Sequence, residues 1–249
     1  MKFALCGDSF CDAVYSPPRA PYDTWPYLVS EEFGGKIICK GEGGLSLYHS
    51  YELFLKYVTE SDYIIFCVTE PTRVSNRYRV PVWISMLSQH MVEFRRKQAP
   101  TDTILPSRNF LKAIRYYYDE IMSIEYHETV QKLLLKEIDE IVGKLNKKCI
   151  MFKNFGENEK DPNTYGYSSF CGFEPKHCVW GDIALNSISD IELLSFSKQD
   201  MEELKYGDKR HNHLNEQNNK NLSNFIIDVI KEDNFTPRKI KMDEYFKDI

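Results

Sequence analysis

Apolar residues along this chain fall into short unbroken runs separated by stretches with helical spacing. Lys2 to Cys6 (KFALC) is a compact apolar run stopped by Gly7, which predicts a buried first strand. Thr24 is a suitable N-cap and Pro26 a suitable early helical residue, so a helix is expected over Trp25 to Phe33, ended by Gly34-Gly35. Lys36 to Cys39 (KIIC) reads as a second strand, running into the glycine-rich loop Gly41-Glu42-Gly43-Gly44. Leu47 to Thr59 has helical spacing. Asp62 to Val68 (DYIIFCV) is a continuous apolar strand of the kind buried on both faces of a parallel sheet.

Thr69 to Leu145 reads as mostly helical. Helices are expected over Val82 to Arg96, Phe110 to Met122 and Glu128 to Leu145, with Pro100 and Pro106 as breaks. Lys148 to Asn154 (KCIMFKN) returns to strand character. Glu157 to Gly166 and Asp208 to Asn219 are polar loops, and Asn221 to Lys231 is a last amphipathic helix. Strands alternating with helices predict an α/β fold with a parallel sheet covered on both faces. The expected organisation is one domain over residues 1–234 with a helical insertion at about 74–145. Residues 235–249 are then a charged peripheral tail.

Composition adds limits. The 249 residues are 42% hydrophobic and 14% aromatic, enough for a folded core, and the formal charge of −5 argues against a general binder of nucleic acid or of an anionic membrane, since both reward a basic face. Seven cysteines with no C-x-x-C pair argue against the commonest zinc and redox frameworks; those inside apolar runs read as reduced, buried thiols. The first apolar run is shorter than the ~7–15 residues of a signal peptide, and no window approaches the ~18 of a membrane span. The expectation is a cytoplasmic protein with no membrane or nucleic-acid partner.

Candidate chemistry lies where strands end, because ligands of open parallel sheets bind at the carboxyl ends. Ser9, in Gly7-Asp8-Ser9-Phe10, follows the first strand at a point where a hydroxyl has backbone N–H groups beside it, as a nucleophile with an oxyanion hole requires. As a bare tripeptide it is equally a turn. Serine needs a base, and Tyr206 to Asn215 carries Asp208, His211 and His213 just before the last helix. His211 and His213 could also bind a metal if the segment is extended, but no ligand framework accompanies them, so no metal and no cofactor is expected. No phosphate-cradling G-x-G-x-x-G or P-loop follows the first strand. Tyr116, Tyr117, Tyr118, Tyr126 and His127 could line a carbohydrate or aromatic site, or pack as helix faces.

Taken together these segments resemble the SGNH (GDSL-type) hydrolase family over roughly residues 1–73 and 148–232. Gly7-Asp8-Ser9-Phe10 resembles its opening block, Gly41 to Ser46 its second, and the late Asp/His loop its last. The resemblance implies a flavodoxin-like three-layer α/β/α sandwich and a metal-independent serine esterase. Its substrate would be a small molecule or carbohydrate ester, cleaved through an acyl-enzyme. Ser9 would be the nucleophile, and the Ser9 and Gly44 N–H groups would hold the oxyanion. His213 would be the base and Asp208 its orienting acid; the family spacing alone would select His211 instead. The family's third block supplies an asparagine to the oxyanion hole. Here that turn is Thr69-Glu70-Pro71-Thr72-Arg73, so Thr69, Thr72 or Arg73 would have to substitute, or Glu70 and Arg73 simply form a turn ion pair. That departure leaves open a second reading, a binding or structural module of the same fold with little catalysis.

Overall fold

The computed structural model describes residues 1–11, 23–75, 108–156, 168–188 and 214–246. Six strands form one sheet: β1 (Lys2–Gly7), β2 (Lys36–Cys39), β3 (Tyr63–Val68), β4 (Lys148–Lys153), β5 (Val179–Ala184) and β6 (Arg238–Ile240). All are parallel, in the order β2-β1-β3-β4-β5-β6. The helices are α1 (Trp25–Glu32), α2 (Leu47–Tyr57), α3 (Arg108–Tyr116), α4 (Ile124–Lys144) and α5 (Glu216–Glu232), with a π-helical turn over Tyr117–Ile121 between α3 and α4.

Strand side chains alternate between two cores, as the period of two demands. Phe3, Leu5, Ile65, Cys67, Ile150 and Phe152 pack under α1 and α5, together with Trp25, Val29, Leu222 and Phe225. Ala4, Cys6, Ile64, Phe66, Cys149 and Met151 pack under α2 and α4, together with Leu47, Phe54, Leu135 and Ile138. The result is a three-layer α/β/α sandwich with the flavodoxin-like strand order. The chain steps outward from β1 to β2, then returns to the other side of β1 as β3. The crevice at the carboxyl ends of β1 and β3 is therefore the switch point where such sheets bind ligands.

Two expectations change. Residues 235–246 are not a peripheral tail: β6 pairs with β5, and Met242 and Phe246 are buried. The charges hid this strand, but it is an edge strand, where charge is at home. Arg238 reaches Glu232, and Lys239 lies over the Trp180 ring. Nor is 74–145 an insertion throughout. Helix α4 is the ordinary β3-to-β4 crossover and supplies a layer of the sandwich. The expected helix over Val82 to Arg96 and the loop from Glu157 to Gly166 lie outside the described residues. β5 was not apparent in the hydrophobic pattern, because Gly181-Asp182 interrupts its apolar run and its pairing with β4 is irregular. No helix among the described residues is long and apolar enough to cross a membrane.

Candidate functional site

Ser9 begins a single 3-10 turn, Ser9–Cys11, directly after β1. Asp8 organises that turn: its Oδ1 accepts the Phe10 N–H at 3.1 Å and its carbonyl accepts the Cys11 N–H at 3.2 Å. Asp8 is fully buried, while Ser9 is partly exposed, and no hydrogen bond among the described residues engages the Ser9 hydroxyl. The Trp25 indole N–H donates to the Phe10 carbonyl at 2.7 Å, pinning the far side of the turn to α1.

The loop after β2 is fastened to this turn. Gly41 N–H donates to the Cys11 carbonyl and Glu42 N–H to the Gly7 carbonyl, at 3.1 and 3.2 Å. Gly41 has to be glycine, since a Cβ there would sit 2.4 Å from Cys11 Sγ and 2.5 Å from the Asp8 carbonyl oxygen. The loop then turns from Glu42 to Leu45, closed by the Leu45 N–H on the Glu42 carbonyl. Gly44 stands third in that turn with φ +78°, the value a type II turn places there. Behind it, the Ser46 hydroxyl lies 3.2 Å from His49 Nδ1, both buried.

The turn after β3 meets the same carboxylate. Thr69 Oγ1 donates to Asp8 Oδ2 at 2.9 Å. Arg73 Nη1 lies 2.9 Å from that oxygen, an ion contact rather than an aligned hydrogen bond. Arg73 Nε donates to Glu70 Oε1 at 3.0 Å, and the guanidinium stands 5.2 Å over the Phe155 ring. Burial opposes the Arg73 charge, but Asp8 and Glu70 more than offset it and raise its pKa. The Glu70–Arg73 turn ion pair is therefore present, and Arg73 also reaches Asp8. The Thr69 hydroxyl proton is directed at Asp8. Thr72 Oγ1 is buried with no hydrogen-bond partner among the described residues.

The end of β4 adds a residue that the sequence did not single out. Asn154 is fully buried, and its Nδ2 donates to Asp8 Oδ1 at 2.6 Å. A carboxylate can only accept, so the amide orientation is fixed with its oxygen turned away, and that oxygen has no partner among the described residues. The signal available in the sequence was a polar residue closing an apolar strand, in register with the carboxyl ends of β1 and β3.

Helix α4 and the π-helical turn brace the β3 turn. Gln131 Nε2 donates to the Thr69 and Ser169 carbonyls at 2.8 and 2.6 Å, and the Tyr118 hydroxyl donates to the Thr72 carbonyl at 2.7 Å. Burial pushes the Tyr118 phenol up, so it stays protonated and donating. The His127 ring bonds the Pro71 backbone, which offers only a carbonyl, and Nε2 faces the Tyr117 hydroxyl at 2.5 Å. Partial burial lowers the His127 pKa. These aromatic residues thus pack against the candidate site through the backbone of its third turn.

Asp208, His211 and His213 lie outside the described residues. The described residue that follows, Leu214, is buried in the same core as Phe10 and Trp25. Helix α5 starts at Glu216, inside the stretch expected to be a loop up to Asn219, because Asn215 caps it there by accepting the Asn218 N–H at 2.8 Å. Asn219 Oδ1 accepts the Trp25 N–H at 2.9 Å, which ties the start of α5 to the residue that holds the Ser9 turn. Among the described residues no group of three or more His, Cys, Asp or Glu side chains could hold a metal ion. All seven cysteines are free. No family model, curated protein or solved structure matches the chain.

Proposed function

We propose that the protein is a serine-dependent ester hydrolase acting through an acyl-enzyme. The observation that carries this reading is the pairing of two turns at the sheet switch point. The partly exposed Ser9 and the αL turn of Gly44 sit on loops joined by the Gly41 and Glu42 hydrogen bonds. Ser9 Oγ attacks the ester carbonyl. The Ser9 and Gly44 N–H groups stabilise the oxyanion, and such donors act strongly in a site of fixed dipoles. His213, or His211 in its place, takes the hydroxyl proton and returns it to the leaving alcohol, with Asp208 orienting the ring. Water activated by the same histidine then releases the acid. Supporting this assignment, Leu214 lies in the same core as Phe10 and Trp25, and Asn219 of α5 bonds the Trp25 N–H, so the described start of α5 is close to the Ser9 turn.

A small-molecule or carbohydrate ester is the proposed substrate, in a cytoplasmic setting without nucleic-acid or membrane partners. A fluorophosphonate probe tests the chemistry. Covalent labelling of Ser9, with hydrolysis of short p-nitrophenyl esters lost in Ser9→Ala, is the expected result; equal hydrolysis in both proteins would sink the assignment.

One observation favours a second reading, a binding or structural module of this fold. Of the three residues that could replace the missing oxyanion asparagine, Thr69 and Arg73 are turned on Asp8, and the Thr72 hydroxyl is buried. Removing one such donor typically costs ~10²–10³ in rate. A chain that leaves the probe unreacted at Ser9 belongs to this second class.

A further inference from the structure

We infer that Asp8 is a positioning residue for Ser9, and that Arg73, Thr69 and Asn154 act on the reaction through Asp8 rather than by touching substrate. The inference rests on the hydrolase reading above. Its basis is the way one fully buried carboxylate is shared. Oδ1 takes the Phe10 N–H, which brackets Ser9 between the two ends of a single hydrogen bond. The same oxygen takes Asn154 from the end of β4, and Oδ2 takes Thr69 and Arg73 from beyond β3. Three strand ends therefore meet on the residue next to the nucleophile. Arg73 is itself immobilised by Glu70 and by the Phe155 ring, whose edge contact with Phe10 closes the circuit back to the Ser9 turn.

A buried ion pair gains little net stability over an apolar filling of the same volume, because desolvation offsets its attraction. What it supplies is direction. Neutral packing would leave the Ser9 turn free to tilt between its two anchored neighbours. Three hydrogen bonds and a charge contact to one carboxylate do not. This also accounts for the third turn carrying Thr69 and Arg73 where substrate donors were expected: their donors face Asp8, from behind the nucleophile.

The test separates positioning from plain support. In Arg73→Gln, both Asp8 and the mostly buried Glu70 lose their counter-charge, and the protein should unfold at lower urea. In the double variant Asp8→Asn/Arg73→Gln the Asp8 charge is gone while Glu70 keeps its residual exposure, and part of the urea midpoint should return. If Asp8 positions Ser9, fluorophosphonate labelling of the double variant stays slow, by about 100-fold, since an ångström of misplacement costs on that order. The loss should fall on kcat for p-nitrophenyl acetate, with KM little changed. Labelling at the wild-type rate in a refolded double variant overturns the inference and leaves the hydrolase reading intact. A wild-type protein inert to the probe overturns both. Should the double variant fail to fold, Thr69→Val decides, because it removes one neutral donor and no charge. Slower labelling at an unchanged urea midpoint supports the inference, and an unchanged rate overturns it.

Discussion

The two ends of the same sheet handle charge in opposite ways. At the amino ends, Lys148 pairs with Asp233, with side-chain exposures of 40% and 62%, and also lies over the Tyr63 and Phe235 rings. Lys147 caps the Thr59 and Ser61 carbonyls nearby, and Asp62 accepts the Lys2 N–H across the strand starts. At the carboxyl ends, Asp8 is wholly buried and Arg73 nearly so. Water can stand in for any partner at the first end and for none at the second. The amino end is therefore a set of independent surface contacts, whereas the carboxyl end is one connected network in which each loss is felt by the rest. Only the second kind can hold a side chain in a fixed direction, and it is the end at which Ser9 emerges.

The largest test of this contrast is Arg73→Gln against Asp233→Asn. Stranding the buried Asp8 charge should cost about 3–5 kcal/mol in urea unfolding. Removing the exposed Asp233 charge, which leaves Lys148 on its two aromatic rings, should cost no more than about 1 kcal/mol, and less at high salt. Comparable losses would erase the distinction. A second test uses glycines from both ends. Gly41→Ala forces a methyl against Cys11 Sγ and the Asp8 carbonyl, so a loss of about 1–3 kcal/mol is expected, with slower Ser9 labelling. Gly34 precedes β2 at the amino end with φ +54° and open space around it. Gly34→Ala should show only the left-handed strain of about 1–2 kcal/mol, with labelling unaffected.

The smallest effect expected is in pH. His127 has its pKa lowered by burial, so the folded state prefers the neutral ring. A depressed folded pKa contributes stability above the unfolded value, about 6.5 for histidine. That contribution is lost as pH falls through the folded pKa. The urea midpoint should therefore decline modestly between pH 7 and 5, and His127→Gln should flatten the decline. A decline of the same size in both proteins would remove His127 as its source.

How much of this was legible in the sequence differs between elements for physical reasons. β1, β2, β3 and β4 stood out because strands buried on both faces must be apolar throughout. The first turn of α5 did not, because its polar Glu216 to Lys220 run reads as loop until the Asn215 cap is seen to start the helix. β6 did not, because an edge strand tolerates charge, and β5 did not, because Gly181-Asp182 breaks its run. In the candidate site, Ser9, Gly44 and the Glu70–Arg73 pair were visible as local patterns. Asn154 was not, because nothing within its own segment distinguishes it from any polar residue at a strand end.

By itself the amino-acid sequence determined the four central strands, the layering that follows from them and the place of Ser9 after the first strand. These are properties of periodicity and turn chemistry, which act over a few residues. Only the tertiary structure decided that Asp8, Thr69, Arg73 and Asn154 share one carboxylate. Those contacts join residues 61 and 146 positions apart along the chain. They exist only because the parallel register brings the ends of β1, β3 and β4 to one edge, where burial leaves a charge no partner but the protein.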